Sequence, residues 1–204
     1  MDNLWTSTIT SLSDVPGLTH IEQHKHYKSL VDLLPKNPKV LEIGCGWGKS
    51  TWAWLDVLPG DCSYYILDRF LLSEKDLKRA NRSFAKFLKQ NKLKIRQKTI
   101  FFSIIQNHPN YNVIKEVWEM FDYEWQQSDF YTTNWDLVYI DGNHQYSVVK
   151  DWLKRFQNVP IVCGDDYSPE TWPELVYAVD EYSEKTKCKK IIMQKEDFWI
   201  IKNH

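Results

Sequence analysis

Val40-Leu41-Glu42-Ile43-Gly44-Cys45-Gly46-Trp47-Gly48-Lys49-Ser50-Thr51 is the stretch that decides the fold of this chain. An apolar strand runs into a turn with three glycines, and a helical pattern follows. Glycine has no Cβ, so such a turn lets backbone N–H groups come close to a ligand at a helix N-terminus. Spacing then sorts the ligand classes. A dinucleotide fingerprint, G-x-G-x-x-G/A, needs Gly or Ala where Lys49 stands. A Walker A loop, G-x-x-x-x-G-K-[ST], ends well on Gly48-Lys49-Ser50 but needs its first Gly at Ile43, and Gly44 is one residue late. What remains is strand-Glu-x-Gly-x-Gly-x-Gly, at Glu42, Gly44, Gly46 and Gly48.

On the N-terminal side of this stretch, Thr19-x-x-Glu22 reads as a capping box, with Tyr27, Leu30, Val31 and Leu34 following at helical spacing. Pro35 and Pro38 end that helix before a strand at 39–43. On the C-terminal side come a helix at 49–58 and a strand from Ser63 ending at Asp68. A long helix capped by Ser73 follows, with Leu77, Ala80, Phe84, Phe87 and Leu88 on one face. The pattern then predicts a third strand within 93–104, a helix over 109–130, a strand from Trp135 to Ile140 and a helix with Tyr146, Val149, Leu153 and Phe156 inward. Val159 to Cys163 reads as the next strand. Thr171-x-x-Glu174 reads as the cap of a helix with Pro173 in its first turn, and 188–194 with 197–203 as a hairpin. Strands alternating with helices imply an α/β fold with a mostly parallel sheet and helices on both faces. The terminal hairpin adds one antiparallel strand.

Composition narrows the function classes. The 204 residues suit a single domain, with an N-terminal segment and helix over 1–37 and an α/β core over 38–204. A formal net charge of −1 gives no global electrostatic case for nucleic acid or an anionic membrane. The ten Lys and Arg of residues 74–98 read as the solvated face of a helix, with phosphate contact as the alternative. No apolar run approaches the roughly 18 residues of a membrane span. Residues 1–13 lack the marks of a signal peptide, so the expected location is cytoplasmic. Cys45, Cys62, Cys163 and Cys188 form no C-x-x-C pair, which argues against a disulfide framework and a zinc site. His20, His24 and His26 read as a solvated face. The aromatic stretch Trp118 to Trp135 reads either as packing against the sheet or as a wall of an acceptor pocket.

Two clusters carry the candidate chemistry. Asp68 ends the second strand, twenty residues after Gly48. A carboxylate there can accept both hydroxyls of a ribose, or it can serve as a turn residue. The second cluster is Asp141-Gly142-Asn143-His144-Gln145-Tyr146 with Gly164-Asp165-Asp166-Tyr167, at the carboxyl ends of neighbouring predicted strands, where open α/β sheets place their sites. Three carboxylates converging there repel one another unless a cation lies between them, and oxygen ligands suit Mg²⁺. Capping of the following helices is the competing account of these Asp residues.

The glycine turn with its Glu resembles motif I of the class I S-adenosylmethionine (SAM) dependent methyltransferases, and the resemblance covers about residues 38–204. The second cluster resembles the I-D-G-x-H-x-Y … G-G-D-D-Y pattern of small metal-dependent O-methyltransferases, including those that act on antibiotic sugars. The resemblance implies a seven-stranded sheet with its last strand reversed. It also implies SAM contacts at Glu42, Gly44, Cys45, Gly46, Gly48, Ser50 and Asp68. By the same resemblance Asp141, Asp165 and Asp166 hold Mg²⁺ beside a small hydroxylated acceptor, and the metal activates the acceptor hydroxyl for methyl transfer. Many members carry a second Asp where this chain has Asn143, which cannot take a proton. His144 is the next candidate base, alongside Asp141 as a catalytic residue, and a hydrogen-bonding role in the turn is the equal alternative for His144. Metal-free transfer to N or O, and a SAM-binding module without activity, remain open on these residues. Many small relatives pair, so a homo-oligomer is compatible with the resemblance.

Overall fold

The structure is a computed structural model that describes residues 9–17, 19, 21–71, 97–120, 133–193, 195 and 197–203. The helix expected from Ser73 to Leu88, His20, the basic stretch up to residue 96 and the aromatic residues 121–132 lie outside the described residues. No helix among those described is long and apolar enough to cross a membrane.

The chain divides into two compact units, each assembled from separated segments. One comprises residues 33–44, 61–68 and 114–204 and holds the whole sheet. Its strands are β1 (Lys39–Ile43), β2 (Ser63–Asp68), β3 (Ile114–Glu119), β4 (Leu137–Ile140), β5 (Ile161–Gly164), β6 (Lys189–Met193) and β7 (Phe198–Lys202). They lie in the order β3-β2-β1-β4-β5-β7-β6. The pairs β1–β2, β1–β4, β2–β3 and β4–β5 are parallel, while β7 runs antiparallel to both β5 and β6. This is the mostly parallel seven-stranded sheet with a reversed last strand that the pattern implies. Strands β4 and β5 are buried throughout and β1 is buried from Val40 to Ile43, with Glu42 as its one charged residue inside; interior parallel strands are mostly apolar. Two helices of this unit, Tyr146–Arg155 and Pro173–Thr186, bury Val149, Trp152, Leu153, Leu175, Ala178 and Val179 in one cluster with Leu41, Ile43, Val138, Ile140, Val162 and Trp199.

The other unit comprises residues 1–32, 45–60 and 69–113. Its helices are α1 (His24–Val31), α2 (Lys49–Val57) and α3 (Gln97–Ile105), so the two sheet-covering helices become α4 (Tyr146–Arg155) and α5 (Pro173–Thr186). Tyr27 of α1 stacks on Trp54 of α2 with ring centroids 4.2 Å apart. Past α3, His108 is buried on Asp56 of α2. The Asn110 N–H donates to its Nδ1 at 3.0 Å, which leaves the ring proton on Nε2 to be donated to Asp56 Oδ1 at 2.9 Å. Asp56 also faces His24 at 3.6 Å, so that histidine has an acidic partner rather than solvent alone. Replacing Asp56 with Ala strips the acceptor from a side chain only 5% exposed and is expected to cost about 1–3 kcal/mol in thermal unfolding. Asp56→Asn keeps a carbonyl acceptor there and should lose less than half of that.

Three expectations are corrected. The third strand is not within 93–104: residues 97–105 are helix α3, because Ile100, Phe101, Ile104 and Ile105 are buried at helical spacing in a run that also reads as a strand. That strand is Ile114–Glu119, inside the span expected to be helical. It is an edge strand with no fully buried residue, so it carries no apolar run to reveal it. Thr171 and Glu174 do not form a capping box. Trp172 is the N-cap of α5 with no side-chain cap, and Glu174 instead accepts the Tyr146 N–H at the start of α4 at 2.8 Å. Pro173 does open the helix. All four cysteines are buried and none forms a disulfide; burial pushes the Cys62 thiol up to about 12 and the Cys163 thiol upward as well.

Candidate active site

The glycines of the first turn answer to the backbone around them. Gly44 has φ +87°, and a Cβ there would lie 2.0 Å from the Asp141 carbonyl oxygen. Its N–H donates to the Leu67 carbonyl at 2.8 Å, so the chain leaves β1 pressed between the ends of β2 and β4. Gly48, at φ +98°, is the N-cap of α2, and a Cβ on it would meet Ile105 at 3.0 Å and Phe101 at 3.2 Å. Gly46 is also left-handed, and its carbonyl accepts from Gln97 Nε2 at 2.8 Å. Cys45 and Ser50 are buried. Glu42 is fully buried and accepts the Tyr64 hydroxyl at 2.7 Å. Asp68 is the last residue of β2, half-buried, with its carbonyl taking the Met120 N–H.

The second cluster forms where β4 and β5 end side by side, with Ile140 paired to Gly164. Asp141 follows β4, and Asp165 and Asp166 follow β5. Three potential ligand atoms, one each from Asp141, His144 and Asp166, lie within 4.8 Å of one another. His144 Nε2 is 2.9 Å from Asp166 Oδ2, yet it makes no hydrogen bond and is sealed from solvent. The imidazole stacks on Trp172, centroids 4.2 Å apart. Asp166 reaches this position through a left-handed backbone, φ +64°. Asp165 stands outside the group of three. It is buried, its Oδ1 accepts the Asp166 N–H at 2.8 Å, and its carbonyl accepts from Trp199 Nε1. Asn143 accepts the Gln145 N–H at 3.0 Å, a turn that leads into α4. Helix capping does not account for these carboxylates, since the N-caps of α4 and α5 are Gln145 and Trp172.

Electrostatics agree with the geometry. Burial raises the Asp141 carboxyl well above the usual carboxylate range, and the charges of Asp165, Asp166 and Glu42 raise it further. The Tyr139 hydroxyl, 3.3 Å from Asp141 Oδ2, opposes this only in part. Two carboxylates and an imidazole nitrogen without a hydrogen bond make a donor set that fits a divalent cation.

No family model matches this sequence, and a search of curated proteins finds no match. Solved structures do match. The O-methyltransferase TomG from Streptomyces achromogenes, involved in tomaymycin synthesis and solved with SAM, is similar at 14% identity and a TM-score of 0.57, over 100% of this chain and 96% of that one. An O-methyltransferase from Bacillus cereus solved with SAH matches at 16% identity and TM-score 0.56, over 98% and 88%. CalS11, a TDP-rhamnose 3′-O-methyltransferase of calicheamicin biosynthesis, matches at 12% and TM-score 0.58, over 89% and 77%. The strand order, the reversed seventh strand and these likenesses give this chain the class I SAM-dependent methyltransferase fold.

Proposed function

We propose that this protein is a SAM-dependent methyltransferase that methylates a hydroxyl of a small acceptor with the help of a divalent cation. The observation that carries this reading is the gathering of Asp141, His144 and Asp166 at the carboxyl ends of β4 and β5, in a sheet of methyltransferase order. On this reading Asp68 accepts the ribose hydroxyls of SAM. Glu42 faces its methionine amino group, and the turn from Gly44 through Cys45, Gly46 and Gly48 to Ser50 lies along the rest of that moiety. The cation, held by carboxylates of the second cluster, would lower the pKa of a bound hydroxyl. In the transfer the O–C bond forms as the sulfonium S–C bond breaks, and one proton leaves the acceptor. Once the cation has lowered the hydroxyl's pKa, that proton can pass to solvent, and Asp141 serves as one of the carboxylates that would hold the cation. Orientation supplies most of the remaining rate, since methyl transfer needs sulfur, carbon and oxygen in line.

Calorimetric titration with S-adenosylhomocysteine tests the cofactor. The wild-type protein should bind, and Asp68→Ala should weaken binding by about tenfold to a hundredfold through the loss of charge-assisted hydrogen bonds. An unaltered affinity in the variant would remove the ribose role of Asp68, and no binding to the wild type would remove the methyltransferase reading.

A further inference from the structure

The sequence leaves His144 divided between a base and a structural hydrogen bonder. Its surroundings fit neither. A structural role calls for a partner on each buried nitrogen, and Nε2 is buried without a hydrogen bond. A base must reach its proton, and this nitrogen is instead closed in against Asp166 Oδ2 at 2.9 Å, off the direction of a hydrogen bond. The contact has the spacing of two ligand atoms that share a cation, and a carboxylate oxygen of Asp141 lies within 4.8 Å of both. Trp172, stacked face to face on the imidazole, holds the ring in that orientation. Asp165 is turned to the Asp166 N–H instead.

We propose that His144 is a metal ligand through Nε2, taking the place expected for Asp165, and that the site therefore favours a first-row transition cation such as Mn²⁺ or Zn²⁺ over Mg²⁺. The chemistry follows from the donor set. Mg²⁺ prefers oxygen alone and keeps its waters, whereas an imidazole nitrogen beside two carboxylates suits Mn²⁺, Fe²⁺, Co²⁺ and Zn²⁺. Trp172 is then a positioning residue, as groups around a ligating histidine commonly are. This inference rests on the metal-assisted reading above and refines its cation and its ligands.

The test is electron spin-echo spectroscopy of the purified protein loaded with Mn²⁺, with calorimetric titration of Mn²⁺, Zn²⁺ and Mg²⁺. The wild type should show modulation from a directly bound imidazole nitrogen, a readout that needs neither turnover nor a variant. His144→Gln should lose that modulation and weaken Zn²⁺ and Mn²⁺ binding about tenfold or more, with Mg²⁺ changed far less. Asp165→Asn should keep the modulation. If Mn²⁺ binds without nitrogen modulation, or if Asp165→Asn abolishes binding that His144→Gln retains, the ligand role of His144 is wrong and the metal-assisted reading stands with oxygen ligands. If none of the three cations binds, the metal-assisted reading itself falls, and this inference with it.

Discussion

Gly44→Ala is expected to prevent folding of the sheet. The new Cβ would sit 2.0 Å from the Asp141 carbonyl oxygen, 2.5 Å from its carbonyl carbon and 2.9 Å from the Gly142 Cα. All three are main-chain atoms of the β4 exit, so no side-chain rotation relieves the overlap. Relief requires the end of β1 to part from the end of β4, which breaks the hydrogen bond from the Asp141 N–H to the Ile43 carbonyl, 2.7 Å long, and disturbs the neighbouring Gly44–Leu67 bond. The φ of +87° adds a backbone cost of about 1–3 kcal/mol for any residue with a side chain. Together these exceed the roughly 4 kcal/mol beyond which single substitutions become exceptional, against a typical total stability of about 5–15 kcal/mol. The expected result is aggregation on expression, or loss of a cooperative thermal transition. Gly60→Ala is the control: its Cβ meets nothing within 4 Å, and the change should be neutral or stabilising by up to about 1 kcal/mol. A Gly44→Ala protein that melts within a few degrees of the wild type would refute the crowding argument.

The same contact explains why the glycine turn is so legible in the sequence. Gly44 and Gly48 are demanded by main chain and side chains packed against them, before any cofactor is considered, and a demand of that kind leaves a mark at fixed positions. Interior strands are legible for a related reason: β4 and β5 have no face in water and read as short apolar runs, and β1 is interrupted within its buried part only by Glu42. What escapes the sequence is whatever depends on a partner far along the chain. Among the described residues edge strand β3 pairs with β2 alone, and its Lys115, Glu116 and Glu119 suit a helix surface as well as a strand. Apolar helix α3 has the opposite ambiguity. Asp56 and His108 each look ordinary until the fold joins them, and no local pattern points to the pair. At the second cluster the sequence places the acids at the ends of adjacent strands but cannot choose between Asp165 and Asp166. Successive residues leaving a strand face opposite ways, and the choice turns on the left-handed backbone of Asp166, which no residue type in that stretch announces. The stack of His144 on Trp172 is equally silent, because it joins the β4 exit to the cap of α5.

Asp141→Asn is expected to separate stability from function, raising the first and removing the second. In the folded protein the Asp141 carboxyl binds its proton more tightly than in the unfolded chain, where its value is near 3.8. The causes are burial first, then the charges of Asp165, Asp166 and Glu42. A raised carboxyl favours the fold while it is protonated. That contribution is complete at low pH and is lost progressively as pH rises from about 3.8 toward and through the raised folded-state value, so the metal-free protein is less stable at neutral pH than at pH 4 on account of this group. Asparagine has nearly the same shape, can still accept from the Tyr139 hydroxyl, and carries no charge to bury. The metal-free variant should therefore melt above the wild type at pH 7, and the gap should close as the pH is lowered toward 4. A divalent cation should reverse the order. It offsets the repulsion in the wild type and stabilises it by about 2.7 kcal/mol at a hundred times its dissociation constant. The variant, with one carboxylate fewer, should gain little and should lose about a hundredfold or more in metal-dependent methyl transfer. Melting curves of both proteins at two pH values, with EDTA and with Mn²⁺, decide the matter. A variant that melts below the wild type in EDTA at pH 7 would show that Asp141 is stabilising as an ion. A variant that gains as much from Mn²⁺ as the wild type would show that the cation is held elsewhere.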